Sequence, residues 1–142
     1  MIIARSRIVE NADWTAISTA LDAQASPGHL LVYSGVRKAR GVAVDSSNTL
    51  ILDIVLQKPC AASIANGTLT FNSVQPAQVL ANVAHSWARG VDGSGNWVFD
   101  MDTGILNTPL SDGSLAAFQF DAASWAAGSY LWLTSLALKF PD

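Results

Sequence analysis

The stretch 79-VLANVAHSWARGVDGSGNWVFDMD-102 decides the fold. Its middle, Asp92-Gly93-Ser94-Gly95-Asn96, places glycines between residues that tolerate positive φ or imitate turn hydrogen bonds. On either side the chain alternates with a period of two, as a strand does. Trp97, Phe99 and Met101 share one face of the second arm, and Val98, Asp100 and Asp102 share the other. In the first arm Val83, His85, Trp87, Arg89 and Val91 lie opposite Ala84, Ser86, Ala88 and Gly90. The reading is a long antiparallel hairpin. Its small-residue face can lie close against another layer or another chain. Asp100 and Asp102 are read as a solvent face rather than as a catalytic carboxylate pair. Asp92, Ser94 and Asn96 occupy the first, third and fifth places of a calcium loop. Trp97 stands where that loop needs glycine and no Glu closes it, so the segment is read as a solvated turn.

Working toward the N-terminus, residues 73–78 form a polar link containing Pro76, and Asn66-Gly67 between Ser63-Ile64-Ala65 and Thr68-Leu69-Thr70-Phe71 predicts a type I′ hairpin turn. Residues 49–58 give the clearest strand, with Leu50, Leu52, Ile54 and Leu56 on one face and Thr49, Ile51, Asp53, Val55 and Gln57 on the other; Pro59 ends it. Residues 34–48 read as a loop or irregular edge, and His29-Leu30-Leu31-Val32-Tyr33 as a strand. Trp14, Ile17 and Leu21 make the apolar stripe of a helix over 13–24, capped at Asn11 or Asp13 and stopped by Ser26-Pro27-Gly28. Residues 1–10 read as an extended arm.

Working toward the C-terminus, 103–113 is mostly loop. A strand over 115–120 carries Phe118 and Phe120 on one face, and Trp125 anchors the connection 121–128 to the core. The run 130–140 reads as one final strand, apolar on both faces and therefore covered on both sides. About seven or eight strands and one short N-terminal helix predict a mainly β chain. The expected architecture is an antiparallel β-sandwich or jelly roll, a single domain over 1–142.

Charged residues make up 13% of the chain, against about 25% in an average soluble domain. The net charge is −3. Two readings follow from so little charge: either other protein covers much of the surface, or Ser, Thr, Asn, Gln and Gly make it polar. The eight Lys and Arg against eleven Asp and Glu give no basic footprint for nucleic acid, and Arg37-Lys38-Arg40 reads as a solvated loop. The first residues lack the apolar core of a signal peptide, and no run approaches the ~18 apolar residues of a membrane span.

Chemistry-bearing motifs are absent from the sequence. Cys60, beside Pro59, Ala61 and Ala62, has no neighbouring base and reads as a buried hydrophobe. His29 and His85 are not at metal-ligand spacing. No phosphate loop, nucleophile elbow or zinc motif appears. No catalytic residue, metal ligand or cofactor is expected, and the chain reads as non-enzymatic. The five tryptophans admit a carbohydrate-binding reading, since sugars stack on exposed rings. Against it, Trp14, Trp97 and Trp132 are expected to pack internally, with Trp87 or Trp125 at an interface.

The order of features resembles a group of small proteins encoded in the structural gene clusters of tailed phages and prophages. The matching pieces are Pro27-Gly28-His29-Leu30-Leu31-Val32-Tyr33-Ser34-Gly35, Leu52-Asp53-Ile54-Val55-Leu56 ending at Pro59, and Ala65-Asn66-Gly67-Thr68-Leu69-Thr70-Phe71-Asn72. They continue with Trp87-Ala88-Arg89-Gly90-Val91-Asp92 and with Ala127-Gly128 before Leu133-Thr134-Ser135. Ala88 and Gly90 depart from the pattern, where bulkier residues are expected. The resemblance implies a virion component made in the host cytoplasm, a capsid cement or decoration protein on the capsid surface. Its partners would be the major capsid protein or another virion protein, and itself as a dimer or trimer, with no nucleic acid and no membrane. A head–tail connector or tail structural protein is the alternative within the same group, and a carbohydrate-binding module the alternative outside it. The arm 1–10 would order only on assembly.

Overall fold

The computed structural model describes residues 5–133 and 136–140. Helix α1 spans Arg7–Leu21 and starts earlier than the sequence suggests. Ser6 is the cap: its hydroxyl accepts from the Val9 amide and its carbonyl from the Glu10 amide. Arg7 pairs with Glu10 one turn on. So the described part of the expected extended arm is largely helical; the first four residues lie outside the description. The buried stripe is Glu10, Trp14, Ser18 and Leu21. Asp22 ends the helix and its carboxylate takes the Cys60 amide at 3.1 Å.

The strands are β1 (His29–Tyr33), β2 (Leu50–Val55), β3 (Ala61–Ala65), β4 (Thr68–Phe71), β5 (Ala77–Gln78), β6 (Trp87–Val91), β7 (Trp97–Ile105), β8 (Phe118–Phe120), β9 (Tyr130–Leu131) and β10 (Ala137–Lys139). They form a five-stranded sheet ordered β2-β1-β6-β7-β8, a three-stranded sheet β10-β4-β3 and a two-stranded sheet β5-β9. The chain is mainly β with one helix, and its curled, largely antiparallel sheets make a sandwich-like fold. The exception is β8, which lies parallel to β7. Residues 106–117 supply the crossover that a parallel pair requires.

The turns follow their chemistry. Asn66 (φ 54°) and Gly67 (φ 74°) are both left-handed, as a type I′ turn requires. The tip docks the helix: Trp14 Nε1 donates to the Gly67 carbonyl at 2.8 Å, and Asn11 Oδ1 accepts from the Gly67 amide at 2.9 Å. A side chain at Gly67 would run into the Arg7–Glu10 pair. The long hairpin is shorter than expected on its first arm, because 79–86 is irregular and its backbone bonds go elsewhere. The Leu80 amide reaches the Ile51 carbonyl, and the His85 amide reaches Ala123.

The final strand is a correction. The alternation over 130–140 is unbroken in sequence, but β9 pairs with β5 whereas β10 pairs with β4. The run therefore serves two sheets, and Tyr130 and Trp132 on one face of it are exposed; residues 134 and 135 lie outside the description.

The core gathers Leu30, Val32, Leu52, Ile54, Ala88 and Met101 from the large sheet, Leu69, Phe71 and Leu138 from the small one, and Trp14 and Leu21 from α1. Trp14 stacks on Phe140 at 4.4 Å and meets Phe99 edge-on at 6.3 Å. The absence of bulk at Gly90 has its reason here, since the Phe99 ring occupies the space a side chain would need. Part of the other face of the sheet, around Tyr33 and Trp87, is covered too, because the start of the 34–49 loop turns back against it. Tyr33 stacks on Trp87 at 5.0 Å, the Trp87 indole donates to Ser34 O, and Ser86 Oγ donates to Gly35 O. Strand β6 is in consequence buried at every residue.

His85, just before β6, joins this strand to the C-terminal connection. Its Nε2 faces the Ala122 carbonyl at 2.8 Å and its Nδ1 the Thr103 hydroxyl at 2.6 Å. A carbonyl only accepts, so Nε2 carries the proton and Thr103 donates to Nδ1. The ring stacks on Trp125 at 5.4 Å, which is how Trp125 anchors its segment. Burial pushes the imidazole below the ordinary histidine value, against a smaller opposing pull from the Ala122 carbonyl. Below about pH 6.5 the unfolded chain therefore binds a proton that the folded chain refuses. Stability should fall as pH drops from 7 to 5, and His85→Gln, which keeps both hydrogen bonds, should flatten that slope. Equal pH slopes of melting temperature for the two proteins would show that His85 is charged in the fold.

Candidate functional site

The residues weighed as chemical sites each have partners within the fold. Both oxygens of Asp92 are used inside the turn: Oδ1 accepts from the Ser94 and Asn96 amides at 2.9 and 3.0 Å, and Oδ2 from Asn96 Nδ2 at 3.1 Å. Burial works to raise its carboxyl, but these bonds and one from Gln24 outweigh burial and hold it below the ordinary carboxylate value. Burial, helped by the Asp22 carboxylate, pushes the Cys60 thiol up to about 12, so it keeps its proton. His29 bonds Asp53 at 2.6 Å at the sheet surface. Among the described residues no group of three or more His, Cys, Asp or Glu is placed to hold a metal ion. Nor is any described helix long and apolar enough to cross a membrane.

Asp100 and Asp102 do not form a shared solvent face. The register that sets Trp87 opposite Asp102 sets Arg89 opposite Asp100. Arg89 then grips Asp100 with two bonds, Nε to Oδ1 at 2.8 Å and Nη2 to Oδ2 at 3.1 Å, and both side chains are only 8% exposed. The guanidinium also lies 5.2 Å over the Trp87 ring. Asp102 is half-exposed and 3.8 Å from Arg37. Alternation alone could not reveal this, because it takes no account of the 34–49 loop, which covers the part of the outer face around Trp87 and Asp100.

The tryptophans are distributed differently from expectation. Trp14 and Trp87 are fully buried, and Trp125 is partly buried against the core. Trp97 is at the border of exposure, and Trp132 is 76% exposed. Trp87 is internal because the loop covers it; Trp132 is external because the chain leaves its sheet there.

Two surface features remain. The first is an aromatic edge: Trp132, with Tyr130 at 59% exposed, stands between two clefts. One cleft, about 320 Å³, includes Gln119, Asp121, Tyr130 and Trp132; the other, about 220 Å³, includes Ser73, Val74, Pro76 and Trp132. The second is a concavity of about 410 Å³ between the 34–49 loop and β7, with Arg37, Lys38 and Arg40 facing Trp97, Val98, Phe99 and Asp100. The basic cluster lies on a loop with Arg37 and Arg40 exposed, as the sequence suggests. Lys38 turns back to Asp45 at 2.5 Å, with its side chain mostly covered, and the cluster rims a cleft.

No family model, curated protein or solved structure matches the chain. The fold and these two surfaces are what bear on function.

Proposed function

We propose that the chain is a non-catalytic virion structural protein of the cement or decoration type, which binds across junctions between major capsid subunits. The observation that carries the reading is the exposed Trp132–Tyr130 edge on a chain with little surface charge. Large aromatic rings with a polar tip are the residues that anchor protein interfaces, and few others supply as much contact area. Leu80, 52% exposed, extends the apolar surface beside β5. A lattice protein repeats one modest interface many times, so avidity rather than a deep pocket supplies the strength. The resemblance in strand and turn order to phage structural proteins supports the same reading.

The purified protein should co-sediment with shells assembled from its major capsid protein and ignore the unassembled subunits. Replacing both Trp132 and Tyr130 with Ser should weaken that binding by about 2–4 kcal/mol, the range for truncated anchor residues, with the melting temperature unchanged. Equal binding to free subunits, or full binding by the double variant, would sink the assignment. Light scattering over a dilution series tests self-association at the same edge, where a dimer or trimer is expected. Carbohydrate binding is the second reading, favoured by polar Gln119, Asp121 and Ser73 flanking the Trp132 ring; an empty glycan array excludes it.

A further inference from the structure

We propose that the cleft between the 34–49 loop and β7 is a docking site for an acidic peptide segment of a protein partner, held by Arg37 and Arg40 beside the partly exposed Trp97 ring. This surface is distinct from the Trp132 edge, and the inference does not rest on the virion reading.

Charge accounting carries it. Three cations occupy four consecutive positions on a chain whose net charge is −3, so the patch stands against its own background. The carboxylates nearby are already committed: Asp100 to Arg89 with two short bonds, and Asp45 to Lys38. Asp102 reaches Arg37 only at 3.8 Å, with both side chains about half-exposed. Arg40 meets no carboxylate among the described residues; its guanidinium lies 5.9 Å from the Trp97 ring. An anion entering the cleft therefore meets Arg40 without a carboxylate and Arg37 held only by that long, half-exposed pair, and a guanidinium can take a carboxylate with two bonds.

The cleft is also built in advance. Asn48 Nδ2 donates to the Ser34 and Val36 carbonyls, Lys38 ties to Asp45 and Ser47, and Ser86 ties to Gly35. Gly41 rests on the Trp97 ring. A loop braced this way loses little entropy when a ligand arrives. The volume of about 410 Å³ is in the range of ligand clefts.

The shape of the charge selects the occupant. A nucleic acid strand needs a basic track and several stacking platforms. Here the cations are confined to one rim, one ring is available, and the β7 wall includes Asp100, which is bonded to Arg89, with Asp102 two residues on. A peptide alternating carboxylates with apolar side chains matches both the rim and the Trp97 ring.

The test is calorimetric titration of the full chain with a capped peptide, Asp-Leu-Glu-Asp-Leu-Glu, beside its Lys-for-acid counterpart and an oligothymidylate. The acidic peptide should bind, more weakly as salt rises, and the Lys peptide should not. Arg37→Glu with Arg40→Glu should weaken binding at least about tenfold, since close charge pairs at interfaces carry that much. Arg40→Gln, which removes charge without adding repulsion to Asp102, should give a smaller loss in the same direction, and melting temperatures confirm that the variants fold. Three results would each overturn the proposal: no acidic-peptide binding up to millimolar concentration, binding unchanged in both variants, or tighter binding of oligothymidylate that the same variants abolish.

Discussion

Arg89→Ala is expected to lose about 3–5 kcal/mol of folding stability, read as a fall in the urea midpoint at unchanged slope. The guanidinium is one half of a buried pair, and removing it leaves the Asp100 carboxylate under the 34–49 loop without a counter-charge. The loss is a large share of the 5–15 kcal/mol that holds a domain of this size together. The companion variant carries the argument. Arg89→Met together with Asp100→Leu removes both charges and keeps the volume, so it should recover most of the loss. The cycle then separates the penalty of an orphaned charge from the worth of the pair. If Arg89→Ala lost less than about 1 kcal/mol, the pair would be behaving as a solvated surface bridge, and the outer face of the sheet would not be closed there.

Trp14→Ala comes second, at about 3–5 kcal/mol. Trp14 is 2% exposed, stacks on Phe140 and touches Phe99, so its removal opens a cavity where helix, small sheet and large sheet meet. Trp14→Phe keeps an aromatic body but leaves the Gly67 carbonyl without its indole donor. It should lose about 1–3 kcal/mol, the range for a buried acceptor left unpaired. Equal losses for the two variants would assign the whole effect to the hydrogen bond, and a loss confined to Ala would assign it to packing.

Several elements were legible because short-range chemistry dictates them. Asn66-Gly67 turns as a type I′ pair because only such residues accept two left-handed conformations in succession. Strand β2 alternates from Leu52 to Val55 because one face meets the core, while Ile51, beside the register shift, is buried as well. Asp92 to Asn96 closes its turn with its own side chains. What stayed hidden depends on distant partners. Asn11 and Asp13 suit a helix cap by residue type, but Ser6, with Glu10 behind it, caps the helix earlier. The 130–140 run looks like one strand because alternation reports faces and says nothing about which neighbour pairs. The Arg89–Asp100 pair was out of reach: counting outward from the glycine turn sets 91 opposite 97 and 89 opposite 99, and the bulge between Gly90 and Val91 shifts the register so that 89 meets 100. The burial of that pair was out of reach too, because a loop with no periodicity covers it. Of the candidate surfaces, the exposure of Trp132 follows from the split strand, and the cleft from the loop's return to Trp97. Neither leaves a local mark in the sequence.

The position of β6 between β1 and β7 has a consequence for synthesis. Strands β1 and β2 are complete by residue 55, but the second edge of β1 is filled only by residues 87–91. A chain leaving the ribosome at ordinary speed holds its first hairpin for seconds with one apolar edge unpaired. That edge carries Leu30 and Val32, the kind of open template on which a neighbouring nascent chain can add a strand. The step that closes the native sheet thus also ends the period of greatest exposure to aggregation, and a chaperone that shields a β edge would act on this protein before residue 91 emerges.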